Sequence, residues 1–459
     1  MTATTVRQRR RLPLVLRNRA FGAVWLGQVL TQAAVRMFQV GVAWWLVAYA
    51  VGAGRGLASG LFMAVSTLPA VALAPVVARA VAGLSHRSVL RTAAATAGAA
   101  VLLLALVAYG SAPPAAAAYA ATLVLASCQA FFDPCLTTSV PELVDDEDIE
   151  AATGFELSTQ SLASLGGALL GALVVDAAGV AGLAIGCAAA YLVAALLVTT
   201  VRFRPAVVQE PREPQEPQES QEPQDGAAAG VGTARGLREV LAGLPAIRKI
   251  LLCFTAANLF TTAVFVVIPL YTKSELGGGG STVALLEAGL GTGTLLGSIT
   301  GARVPGRPTR VGAGLLAVMA AAFAVAYLVA GRFVLAGCLV VAGWCVGVIG
   351  VRFVALFQRL VPPADKPGFF AVMQAVLGAS FPVASLLFGL LGDHLPARTL
   401  CLVQAAGLVP AAIALALLRG PGADGREHGQ SGAHRQSGAH RQSHPSDPSP
   451  EFVATGGER

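Results

Sequence analysis

The sequence is short of charge. Only 12% of its 459 residues are Asp, Glu, Lys or Arg, against about 25% in an ordinary soluble domain. With 55% hydrophobic residues, a soluble globule is excluded. Lysine is almost missing: Lys249, Lys273 and Lys366 are the only three, so 29 of the 32 basic residues are arginine. The net charge is +7, yet the arginines form short collars between apolar runs without interleaved aromatics. That excludes a nucleic-acid surface and points to an anionic lipid leaflet as partner. Cysteine is absent from the polar segments. Cys128, Cys135, Cys187, Cys253, Cys338, Cys345 and Cys401 all lie in apolar runs, where they read as small buried hydrophobes and not as a disulfide framework or a metal site. No Gly-Lys-Ser/Thr follows the glycine-rich stretch from Gly293 to Gly301, and no strand pattern precedes it, which excludes ATP binding. The short connections on one side hold no His/Asp/Ser or metal-ligand constellation, which disfavours a polytopic membrane enzyme. No re-entrant segment suggests a channel. A cleavable signal peptide is also missing: six arginines precede an apolar stretch too long for an h-region.

What the chain does have is apolar length. Twelve stretches of about 20 residues, enough to cross a bilayer as helix, begin near Val24, Leu57, Val89, Ala115, Ala152, Val180, Ile250, Val283, Val311, Phe333, Phe369 and Leu400. The predicted fold class is an all-α polytopic membrane protein of two six-helix bundles. Its expected divisions are a basic arm (1–20), a first bundle (21–201), a polar linker (202–247), a second bundle (248–418) and a polar tail (419–459). Within the linker, Gln209 to Gln224 is a Gln-Glu-Pro repeat unable to bury apolar surface. The tail doubles a Ser-Gly-Ala-His-Arg-Gln unit between Ser431 and Gln442. It reads as repeat expansion, since no Cys or carboxylate cluster completes a metal site.

Orientation follows from positive charge. If both termini are cytosolic, the outside loops carry only Arg55, Lys273, Arg332 and Arg398, two arginines (Arg36, Arg352) lie within spans, and the other 26 face the cytosol. The expected location is therefore the cytoplasmic membrane, multi-pass, with the linker inside. The halves also resemble each other. A single shift of 217 positions carries Cys128 onto Cys345, Leu143-Val144 onto Leu360-Val361 and Asp176 onto Asp393. Asp is rare here, so internal duplication is the reading, a plan that recurs in transporters with sites between the halves.

A charged side chain at mid-bilayer costs about 2.5 to 3.5 kcal/mol on insertion scales, so each one is a functional hypothesis. At 100° per residue, Gln28, Gln32, Arg36 and Gln39 fall on one stripe of span one about 80° wide. It lines an aqueous cavity or a hydrogen-bonded helix interface. Gln129, Asp133 and Thr137 share a face of span four; Glu156, Thr159 and Gln160 share one of span five. Asp133 and Glu156 sit at similar depth on adjacent spans, where repulsion between two carboxylates favours keeping a proton on one of them; the alternative is that Glu156 reaches the surface. In the second half, Thr255, Asn258 and Thr262 share a face of span seven, and Glu287, Gly291, Thr294 and Ser298 share one of span eight. Asp133, Glu156 and Glu287 are the candidate proton sites, and Asp133 is the expected counter-charge of Arg36.

Six plus six spans around a long central loop resemble the major facilitator superfamily. Arg17-Asn18-Arg19-Ala20-Phe21 before Leu26-Gly27-Gln28 looks like the opening of its drug:proton antiporter branch, the macrolide-efflux-like and siderophore-exporter-like members. Phe131-Phe132-Asp133-Pro134, Val140-Pro141-Glu142-Leu143-Val144 and Ala151-Ala152 are similar to that branch's junction of spans four and five, and Gln358 through Pro362 repeats the theme. The chain departs from the pattern too. Ala82-Gly83-Leu84-Ser85-His86-Arg87 lacks the usual loop acid, Ala34-Val35-Arg36 stands where Gly-Asp-Arg is frequent, and Lys366-Pro367-Gly368-Phe369 replaces an Arg-Gly-Arg. Span five keeps Gly166-Gly167 and Gly171 without the antiporter-type proline. The resemblance implies a secondary transporter and is silent on substrate; the reading taken is a monomer that needs no cofactor beyond a proton gradient and exports an amphipathic organic compound, such as a drug, an antibiotic or another specialised metabolite. Uptake by a permease of the same fold is the alternative.

Overall fold

The computed structural model describes residues 14–110, 113–144, 148–201, 245–361 and 366–418, and among them it holds helices and no strand. The first half contains α1 (Leu14–Arg17), α2 (Arg19–Trp45, prolonged by a π-turn, Leu46–Ala50), α3 (Arg55–Ala72), α4 (Ala74–Gly83), α5 (His86–Gly110), α6 (Ala115–Leu143) and α7 (Ile149–Thr200). The second contains α8 (Pro245–Thr262), α9 (Val264–Ser274), α10 (Gly280–Thr300), α11 (Pro308–Leu328), α12 (Arg332–Leu360), α13 (Lys366–His394) and α14 (Ala397–Leu417). Helix is what an apolar chain must adopt in lipid, because each backbone amide needs a partner within its own segment.

Eleven helical stretches are long and apolar enough to cross a membrane. One of them, Ser161–Thr200, has 40 residues, about 60 Å at 1.5 Å per residue and twice the hydrocarbon thickness. Gly179 resolves the excess: at φ 68°, ψ −178° it breaks the helical path of α7, a conformation glycine tolerates. Before it, Gly167 and Gly171 approach Ala33 and Met37 of α2 in the same order; after it, Leu183 and Ala194 approach Gly41 and Gly27 in reverse order. The chain therefore turns back at Gly179, and α7 supplies spans five and six of twelve.

The duplication is visible in the helix bounds. α6 and α12 each have 29 residues, and the same shift of 217 relates Ala115 to Arg332, Leu143 to Leu360, Ile149 to Lys366 and Thr200 to Leu417. The Gln-Glu-Pro linker, the His-bearing tail and most of the basic arm lie outside the described residues.

One end of the bundle carries the arginine collars, and there the first half is tied to itself. Asn18 caps α2 by accepting from the amides of Ala20 (3.0 Å) and Phe21 (3.1 Å), and its Nδ2 donates to the Leu143 carbonyl at the end of α6 (2.7 Å); such a cap is worth about 1 kcal/mol. Arg17 pairs with Asp148. His86 Nδ1 lies 2.7 Å from Glu142 Oε1 and its Nε2 3.2 Å from the Thr138 hydroxyl, so a His–Glu pair stands near the loop that lacks the usual acid.

At the opposite, far end the halves meet. A β-carbon on Gly56 or Gly60 of α3 would collide with the Gly389 or Ser385 carbonyl of α13, and one on Gly280 of α10 with the Ala172 carbonyl of α7. Small residues let helix backbones touch in this way. Toward the basic end the contacts pass from backbone to side chain: a β-carbon at Gly291 would meet the Leu165 side chain, and one at Gly378 would reach only a methyl of Val71, at 4.0 Å.

Candidate functional site

The stripe predicted on span one faces the interior. Gln28 and Gln32 are buried, and Arg36 and Gln39 half-buried. Arg36 Nη1 donates to Gln39 Oε1 (2.9 Å), one helical turn away, as the i, i+3 spacing allows. Its guanidinium also lies 5.4 Å from the ring centroid of Phe265 on α9. That cation–π contact crosses from the first half to the second. Phe265 in turn packs against Phe381 of α13, centroid to centroid 5.7 Å. Glu287 of α10, only 6% exposed, lies within electrostatic reach of Arg36.

Asp133 is held elsewhere. Its Oδ1 accepts from Gln32 Nε2 (2.8 Å) and from Gln129 Nε2, linking spans one and four. No direct hydrogen bond or ion pair joins Arg36 to Asp133 among the described residues. Gln32, one turn nearer the basic end than Arg36, takes the carboxylate, while Arg36 points toward Phe265 and the second half. Tyr191 of span six, 2% exposed, lies within electrostatic range of Asp133, and its hydroxyl finds no hydrogen-bond partner among the described residues.

In the second half, Asn258 Nδ2 donates to the Ser380 hydroxyl (2.6 Å) and to the Leu377 carbonyl (3.2 Å). Thr255 and Thr262 share its helix face but donate to their own helix, to the carbonyls of Leu251 (2.9 Å) and Asn258 (2.8 Å). Thr294 and Ser298 do the same on α10, and Thr137 and Thr159 in the first half. The side chains of Glu156 and Gln160 lie outside the described residues. Arg352 donates to the Gly306 carbonyl and anchors the turn after α10. No group of three or more potential metal ligands occurs among the described residues.

The sequence therefore placed Arg36, Gln39, Gln32, Gln129 and Asp133 in contact groups, but missed Phe265, Phe381, Tyr191 and Ser380. A lone aromatic or hydroxyl in an apolar run carries no periodic signal.

Residues 24–329 match the family model described as Major Facilitator Superfamily. The chain belongs to the major facilitator superfamily. Solved superfamily folds overlay nearly its whole length. A bacterial homologue of the iron transporter ferroportin in an inward-facing state is 13% identical, with a TM-score of 0.64 over 86% of this chain and 98% of that one. A D-xylose-proton symporter is also 13% identical, at 0.63 over 87% and 97%. The POT family transporter PepTSo is 11% identical, at 0.61 over 92% and 99%. At such identities the likeness shows the superfamily fold alone. No curated protein matches the chain at a significant level. Membership identifies a multi-pass membrane transporter and sets the enzyme reading aside.

Proposed function

We propose that this chain is a proton-coupled secondary transporter of the drug:proton antiporter branch, which exports an amphipathic organic compound by alternating access across the cytoplasmic membrane, with its basic end in the cytosol. One observation carries the reading: Arg36 of the first half rests on Phe265 of the second, with the buried acid Glu287 in electrostatic reach. Opposite charges beside an aromatic wall, placed where the halves meet, suit a substrate with both an ionic and an apolar part. A rocking motion changes their separation. A buried carboxyl that gains and loses a proton during that motion links the two fluxes. The local text around Arg17 and Asp133 supports the export branch.

The test is a proteoliposome assay with a lumenal pH dye and an imposed proton gradient, using a macrolide and a siderophore as probes. Proton entry that accompanies probe exit, abolished by Glu287→Gln, is the expected result. Probe movement without proton movement overturns the coupling. Protons and probe moving in the same direction overturn export in favour of an uptake permease.

A further inference from the structure

The two aspartates related by the 217-residue shift do the same job on opposite halves. Asp393 ends span eleven. Its Oδ1 accepts from the amide of Gly56 (2.7 Å) and its Oδ2 from that of Leu57 (3.0 Å), in the first turn of span two. Asp176 ends span five, and its Oδ2 accepts from the amide of Gly280, the first residue of span eight. Its Oδ1 also accepts from Trp44 Nε1 (2.6 Å) and Tyr49 OH (2.9 Å). Neither α3 nor α10 has a side-chain cap of its own, the cap positions being Gly54 and Gly279. The amides left open at each helix start are therefore satisfied by a carboxylate from the other half, a favourable arrangement at the positive end of a helix. These three hydrogen bonds cross between the halves, and all three lie at the far end. Lys273 of the second half, 5.9 Å from the Tyr49 ring centroid, joins the same cluster.

We infer that Asp176 and Asp393 form a paired latch that holds the far side of the transporter closed and must release both helix starts before that side opens. The glycine contacts beneath them fit the role. Gly56, Gly60 and Gly280 bring backbones together directly under each carboxylate, so neither helix pair separates without breaking its cap. Both aspartates are exposed, so water replaces the lost hydrogen bonds when the latch opens, as a reversible gate requires. The inference rests on alternating access. Its test involves no substrate, so a failed transport assay and a failed latch are distinguishable.

Ser385, 0% exposed at the crossing of spans two and eleven, serves as the reporter. Ser385→Cys is placed in full-length protein whose seven native cysteines are replaced by serine or alanine. A membrane-impermeant maleimide is then applied from the far side of sealed vesicles, and the modification rate follows the far-side-open population. Asp176→Ala and Asp393→Ala should each raise that rate about fivefold, the equivalent of one lost cap, and together about twenty-five-fold if the two are independent. The Asn variants, which keep an acceptor oxygen, should raise it less. An unchanged rate in the double alanine variant overturns the latch. An equal rise for reagent applied from the basic side also overturns it, because that reports general loosening.

Discussion

The two halves share a scaffold and differ in chemistry. Helices α6 and α12 begin and end at positions related by one shift, as do the start of α7 and that of α13. Yet in the interior of the spans the first half carries amides and charges, namely Gln28, Gln32, Arg36, Gln39, Gln129 and Asp133, of which Arg36 reaches the second half. The second presents Phe265, Phe381, an Asn258–Ser380 pair and the acid Glu287. Duplication has kept Asp176 and Asp393 at equivalent positions, each capping a helix start of the other half, while the residues around Arg36 and Phe265 have diverged.

The sharpest way to break that contrast is to remove the charges that face each other. Arg36→Ala and Glu287→Gln should each lower proton-coupled transport by about 100-fold or more, since each removes a charge that lies within electrostatic reach of the other at the junction of the halves. The double variant should lose much less than the two losses combined. Measured in proteoliposomes at matched protein levels, a neutral Arg36→Ala would reduce Arg36 to a structural element of span one. A smaller effect is expected within the first half. Asp133→Asn keeps the shape but replaces a carboxylate that accepts two amide N–H groups, and should cost about tenfold in transport rate, because hydrogen bonds to a charged group are worth roughly 1.5–3 kcal/mol. A rate equal to the parent's would limit charge handling to Arg36 and Glu287. The smallest effect belongs to the second half's hydroxyls. Thr255→Val and Thr262→Val should each change transport less than about twofold, because both hydroxyls bond to their own helix backbone. A large rise in KM in either variant would mean that this wall reads polar groups after all.

The architecture was legible because lipid leaves a chain few choices. Twelve apolar runs, the collars of arginine and the matched pairs Leu143/Leu360 and Asp176/Asp393 all survive into the structure. The stripe on span one also survives, since helical spacing alone puts Gln28, Gln32, Arg36 and Gln39 on one face. What a single helix face does not reveal is the partner. Asp133, nominated as counter-charge of Arg36, is in direct contact with Gln32 from one turn away, and depth along a span says nothing of where a long side chain swings. The joining of spans five and six through Gly179 was readable only as two apolar runs; the φ of 68° that turns the chain is a backbone property. Phe265 and Tyr191 stayed invisible, as aromatics in apolar stretches have no pattern to set them apart.

The bare start of α3 bears on how the protein is made. Its cap, Asp393, lies 337 residues further along the chain from Gly56, and at a synthesis rate of 5–20 residues per second that delay is roughly half a minute. The amides at the start of span two are therefore met by water until span eleven is made, whereas Gly280 finds Asp176 already made. The second half assembles onto a finished acceptor, and in doing so completes the first.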